Sequence, residues 1–123
     1  MTKMDMVWVA TANLLHPNTV ATFTVTRSQI ETEVGALFGE SITPVMIERH
    51  LVNSVDRMAD KDQPQRGGSR NRYLVRNGEE YRLYKRADTP TDAWEKNGPT
   101  HPDRTKIGQQ FVRLIDWYES SYY

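Results

Sequence analysis

The sequence predicts a small α+β domain. Three segments in the first half carry apolar residues at helical spacing, and two later β-branched and aromatic segments flank an Asn-Gly dipeptide, a strong hairpin signal. The chain has 123 residues, a length that suits one domain able to bury its own core. We expect three helices, a short strand, a hairpin and a further C-terminal helix.

The N-terminal part predicts one helix and one short strand. Residues 5–15 place apolar side chains at a spacing of four, and Pro17 follows, where a missing backbone N–H ends a helix. Residues 22–25 read Thr-Phe-Thr-Val, a composition typical of a strand.

The second helix carries signals at both ends. Thr26 and Gln29 have the spacing of a capping box, in which each side chain binds a backbone N–H of the other residue. The helix is predicted to end near Phe38, because Gly39 suits a left-handed C-terminal cap.

A third helix is predicted a few residues later. Thr43 is its expected N-cap, Pro44 its first residue and Asp60 its approximate end. Its apolar residues recur at steps of four, four and three, as a core-facing stripe requires: Ile47, Leu51, Val55 and Met58.

The middle of the chain predicts a loop and then a hairpin. Residues 60–70 are polar and rich in turn formers. Strands are expected at 72–76 and 81–85 around Asn77-Gly78, since both of these residues accept positive φ. Alternation along the strands places three apolar side chains on one face: Leu74, Tyr81 and Leu83.

The last third predicts an irregular linker over 87–104 and a helix over 105–118. The helix has an apolar face formed by Ile107, Phe111, Leu114, Ile115 and Tyr118. Two roles are open for the segment 105–123. It either covers the first helix and completes the core, or pairs two subunits of a homodimer.

This order of elements resembles a winged helix-turn-helix domain over residues 1–86. The resemblance is carried by Thr26–Phe38 as second helix, Gly39–Thr43 as turn, Pro44–Ala59 as third helix and Arg72–Lys85 as wing, and the wing closes on Gly-Glu-Glu-Tyr-Arg-Leu at 78–83. The chain is also similar to uncharacterised winged-helix modules of bacterial defence and restriction loci.

The resemblance implies contact with double-stranded DNA. In this family the third helix enters the major groove and the wing touches the backbone. The outward residues of the third helix would be Arg49, Asn53 and Arg57, side chains suited to reading guanine and adenine. Acidic residues beside them would oppose phosphates: Glu48, Asp56 and Asp60.

The distribution of charge favours the wing as the phosphate contact. Net charge is zero, but residues 63–86 hold seven basic and two acidic side chains. The cations expected to bind a polyanion are Arg66, Arg70, Arg72, Arg76, Arg82 and Lys85. The alternative is a basic patch that is solvated or that binds a protein.

No catalytic chemistry is predicted. Cysteine is absent, the three histidines are scattered, and no phosphate-binding or nucleophile motif occurs, so we expect no enzyme activity, metal or cofactor. No signal peptide or membrane-length apolar run is seen, which favours the cytoplasm. The predicted function is a non-catalytic DNA-binding module, with a protein-interaction adaptor on the same scaffold as the alternative.

Overall fold

The computed structural model describes residues 1–48, 72–88 and 99–123, and these ranges form an α+β fold. Its main elements in chain order are α1 (Lys3–Leu15), β1 (Val25–Thr26), α2 (Arg27–Phe38), α3 (Pro44–Glu48), β2 (Leu74–Asn77), β3 (Glu80–Leu83) and α4 (Val112–Trp117). Short 3-10 turns lie at Arg86–Asp88 and Gln109–Phe111, and a π-helical turn at Tyr118–Tyr122 follows α4. The three strands make an antiparallel sheet in the order β1-β3-β2.

Helix α1 is the centre of the fold. Six consecutive residues, 7–12, are buried, and six residues exceed one helical turn, so every side of the helix is covered there. α2, β1, β3 and α4 all contact it. The predicted helix over 5–15 is confirmed, and it begins earlier because the Thr2 hydroxyl accepts a hydrogen bond from the Asp5 N–H.

Helix α2 begins and ends as its sequence predicts. Thr26 Oγ1 accepts from the Gln29 N–H at 3.1 Å, and the Gln29 side chain accepts from the Thr26 N–H at 2.8 Å, which completes the capping box. Gly39 closes the helix with a φ of 66°. Its buried residues, Ile30 and Val34, face the core.

The hairpin is confirmed, but its turn is placed one residue later than predicted. Asn77 pairs with Glu80, so the two turn residues are Gly78 and Glu79. Of Asn77 and Gly78, only Gly78 has a positive φ, at 67°, so Asn77 ends a strand and does not turn the chain. The expected face of Leu74, Tyr81 and Leu83 is buried in the core.

The C-terminal helix begins later in the chain than the predicted residue 105. Asp103 Oδ1 accepts from both the N–H and the hydroxyl of Thr105, a local turn that competes with helix formation. Helical backbone therefore begins only at Gln109. The whole predicted apolar face is nevertheless buried within this chain: Ile107, Phe111, Leu114, Ile115 and Tyr118.

Several predictions fall outside the described residues. These are the third helix beyond Glu48, the loop at 60–70 and most of the linker at 87–104. Within the described ranges, the helices are too short or too polar to cross a membrane.

Two glycine substitutions are expected to have opposite effects on stability. Gly78→Ala forces a β-carbon into left-handed backbone and should lower the free energy of unfolding by about 1–2 kcal/mol. Gly35 lies inside α2, where an added β-carbon would meet its nearest neighbour, the Glu40 backbone oxygen, at an ordinary 3.8 Å. Gly35→Ala should therefore raise the free energy of unfolding by up to about 1 kcal/mol. Urea denaturation measures both. A Gly78→Ala variant as stable as the parent would contradict the assigned turn.

Candidate interaction site

The residues predicted to contact DNA divide into two groups. Four belong to the described hairpin region: Arg72, Arg76, Arg82 and Lys85. Five lie outside the described residues, and their placement stays a prediction: Arg49, Asn53, Arg57, Arg66 and Arg70.

Arg82 forms a two-point ion pair inside the protein. Its two terminal nitrogens donate to the two carboxylate oxygens of Asp88 at 2.7 and 2.8 Å, and the side chains are only 11% and 20% exposed. Hydrogen bonding to Asp88 raises the pKa of Arg82 against the opposing effect of burial. This guanidinium is therefore already paired and holds the base of the hairpin to the Arg86–Asp88 turn.

Asp88 is the acceptor that organises this turn. Burial disfavours its charge, but hydrogen bonds from Arg82 and from the Lys85 N–H outweigh burial and lower the pKa of Asp88 below its usual value. Asp88 was not singled out from sequence. The one available signal was its spacing of three from Lys85, the reach of a carboxylate that accepts from a turn N–H.

Lys85 is committed to two backbone carbonyls. Its Nζ donates to Thr19 O at 2.7 Å and to Tyr122 O at 2.8 Å, and it lies 3.7 Å from the centre of the Tyr122 ring. Burial and the nearby Arg82 charge lower the pKa of Lys85. Lys85 thus fastens the C-terminal turn to the loop before β1.

The expectation that the wing cations line an open surface needs correction. Arg72 is buried, and Arg82 and Lys85 are engaged inside the chain as described above. Arg82 pairs with Asp88 in the turn that follows the hairpin, and Lys85 joins segments that are distant in sequence. Arg76 is the most open of the four, with 46% of its side chain exposed, and it lies 3.4 Å from Glu48.

An open cleft of about 470 Å³ lies between the start of α2, the end of α3 and the hairpin tip. We call it the α2–hairpin cleft. It is lined by Thr26, Arg27, Ser28, Glu48, Arg76, Glu79, Glu80 and Tyr81. Two arginines and three glutamates line the cleft, so its charge is mixed.

Glu48 joins the helical wall of the cleft to the sheet. Its Oε1 accepts from Arg76 at 3.4 Å and from the Tyr81 hydroxyl at 3.3 Å. Burial raises the pKa of Tyr81, and the Glu48 charge adds to the effect, so the phenol stays a hydrogen-bond donor at neutral pH. Arg76 and Tyr81 are directly paired across the strands, which brings both to the same face.

Two further features concern the residues of the cleft lining and their neighbours. Val45 is 57% exposed, and it shares a helix face with Glu48 because the two are three residues apart in α3. Glu80 accepts a hydrogen bond from the Thr24 hydroxyl at 2.8 Å, which holds one acidic wall in place. The cleft is therefore lined by oriented charges of both signs, and an exposed apolar side chain lies one helical turn from Glu48 in its wall.

The faces of the sheet on which Arg76 and Arg82 lie could have been predicted from the sequence. Alternation put Leu74 on the core face, and the same alternation puts Arg76 on that face, towards the helices, and Arg82 on the other. The contact of Arg76 with Glu48 spans 28 residues and has no local signal.

In the described part of the chain, no group of three or more histidine or acidic side chains could hold a metal ion. Comparison of the chain with protein-family models, with curated proteins and with solved structures finds no match in any of the three.

Asp88→Asn is expected to lower the free energy of unfolding at pH 7 by about 2 kcal/mol, because it removes a charge from a mostly buried pair. The pKa of Asp88 is lower in the folded protein than the value of about 3.9 expected for the unfolded chain. The charge of Asp88 therefore stabilises the fold above that unfolded-state pKa, and this stabilisation is lost as pH falls through the folded-state pKa. The deficit of the variant should therefore shrink in acid.

Urea denaturation at pH 7 and pH 3 tests this expectation. The matched control is Asp116→Asn, whose carboxylate pairs with Arg104 on the surface and should change stability by less than about 0.5 kcal/mol. An equal deficit for Asp88→Asn at both pH values would show that its carboxylate charge is not what stabilises the turn.

Proposed function

We propose that this chain is a non-catalytic winged-helix module that binds a protein partner at the α2–hairpin cleft. The observation that carries the proposal is the composition of that cleft. Oriented charges of both signs line the cleft, and an exposed apolar side chain, Val45, lies one helical turn before Glu48 in α3. Protein interfaces are built in the same way, from apolar anchors with a polar rim.

The winged-helix part of the proposal is supported by the order of the elements. A helix, a short strand, a helix, a turn and a third helix precede a hairpin, and β1 pairs with the hairpin strand β3. This pairing joins the hairpin to the start of α2, so the two walls of the cleft belong to one unit. Fold order alone names no partner.

The charges of the hairpin favour a protein partner over a polyanion. The described tip carries Glu79 and Glu80, and the cations behind it, Arg82 and Lys85, are bound to groups of the same chain. A phosphate backbone at the tip would meet carboxylates first. A protein surface that itself carries both signs of charge would find complementary groups there.

A second candidate, duplex DNA, is favoured by a separate observation. Four arginines cluster in sequence between the start of the third helix and the hairpin, outside the described residues: Arg49, Arg57, Arg66 and Arg70. In a winged-helix arrangement that region contains the groove-reading helix. This candidate needs those side chains and needs neither Arg82 nor Lys85.

Val45→Asp is expected to weaken partner binding at least tenfold, because it places a charge at the apolar anchor and costs more than about 1.4 kcal/mol. The measurement is quantitative recovery of partners from extract of the natural host on the immobilised chain, followed by titration of the purified partner. Arg113→Glu is the control, since Arg113 is exposed on α4, an element that supplies no residue to the cleft lining, whereas α3 supplies Glu48. Equal loss in both variants would overturn the cleft as the binding site.

The DNA candidate predicts a different pattern. Fluorescence anisotropy with a mixed-sequence duplex should show affinity that falls steeply between 50 and 200 mM salt and is lost in Arg66→Ala/Arg70→Ala. We expect instead weak binding that this double change leaves unaltered. A steep salt response that depends on these two arginines, with Val45→Asp behaving as the parent, would replace the protein-binding proposal by DNA binding.

A further inference from the structure

Both ring nitrogens of His101 face atoms that can only accept hydrogen bonds. Nε2 lies 2.8 Å from Oε1 of Glu119, in the π-helical turn. Nδ1 lies 2.7 Å from the backbone oxygen of Pro102. A carbonyl oxygen and a carboxylate oxygen carry no proton, so each contact requires a proton on the ring. The neutral ring has one N–H, and the imidazolium has two.

We propose that His101 is a protonation-dependent clip, which in its imidazolium form fastens the segment Pro99–Arg104 to the C-terminal turn Tyr118–Tyr122 and which loosens when the ring loses a proton. The clip uses none of the residues of the α2–hairpin cleft, and its response to pH is expected whatever the module binds.

Two buried aromatic rings lie beside the His101 ring. The centre of the His101 ring lies 6.2 Å from that of Trp8 and 5.8 Å from that of Tyr118, and both partners are fully buried. Burial raises the pKa of the Tyr118 hydroxyl, so this neighbour stays neutral at physiological pH.

The charged neighbours in the described part of the chain carry both signs. Glu119 accepts directly from the ring, and Asp103 lies close enough for the two charges to interact. Hydrogen bonds from Thr105, aided by His101, lower the pKa of Asp103. Arg104 is the opposing charge, but it donates to Asp116 at 2.9 Å and lies 3.8 Å from Glu119, so it is itself paired with carboxylates. Helix α1 contributes Trp8 to the clip.

Loss of the proton leaves one of two acceptors facing a nitrogen lone pair. Either the Pro102 carbonyl or the Glu119 carboxylate then loses its donor, and the ion pair disappears in both cases. The contact that needs the second ring N–H is present while the ring is protonated and lost when it is not, so the stabilisation it gives is larger at low pH than at high pH.

The test compares the urea midpoint of the full chain with that of His101→Gln at pH 5.5 and pH 8.0. Glutamine does not titrate, so the parent should exceed the variant at pH 5.5 and lose most of that advantage at pH 8.0. His16→Gln is the matched control, because His16 also contacts an aromatic ring, Trp117, and its described contacts include no ion pair. We expect its difference from the parent to be similar at both pH values. An equal advantage of the parent over His101→Gln at both pH values would overturn the clip.

A second variant and a spectroscopic measurement cover the case in which His101→Gln fails to fold. Glu119→Gln removes the ion pair and should abolish the same pH-dependent part of the midpoint. Nitrogen-15 NMR of the histidine rings at pH 5.5 should show two ring N–H groups on His101, both protected from solvent exchange. Detection of only one ring N–H on His101 at pH 5.5 would contradict the proposal.

Discussion

Complete burial of α1 is the constraint on which the remaining structure depends. Across residues 7–12 no side of this helix faces solvent, so α2, the sheet and the C-terminal segment must each cover one side of it. Burial of the apolar side chains there stabilises the fold at roughly 25 cal/mol per Å² removed from water. Trp8 illustrates the arrangement, because its ring packs edge-on against Tyr118 at 5.7 Å.

The same requirement explains why the cations of the hairpin base are used internally. The C-terminal turn covers α1 only while it stays attached to the sheet, and Lys85 provides that attachment through the Tyr122 carbonyl and ring. Arg82 and Asp88 hold the backbone that positions Lys85. Positive charge that looks available in sequence therefore serves to join three distant segments.

Local signals predicted the local structure well. Thr26, Gln29 and Gly39 marked both ends of α2, and alternation along the hairpin identified its buried face, because these effects act within a few residues. The observed turn lies one residue later than the predicted one, because strand register depends on pairing with β1 as well as on the Asn-Gly dipeptide.

The candidate site was less predictable, for a physical reason. Lys85 contacts Thr19 across 66 positions and Tyr122 across 37, and no spacing rule reports such contacts. The first helix shows the same limit in another form. Met6 and Leu14, on the apolar repeat visible in sequence, are only partly buried, while Val7 and Val9 beside them are fully buried. A helix covered on every side has no single stripe to detect.

The central position of α1 also bears on how the protein is made. Synthesis runs from the N-terminus, so α4, one of the elements that covers α1, is translated about a hundred residues after α1. Until α4 has been synthesised, the apolar residues of α1 lack part of the protein surface that buries them. We therefore expect the contacts between α4 and α1, which are distant in sequence, to form late in folding.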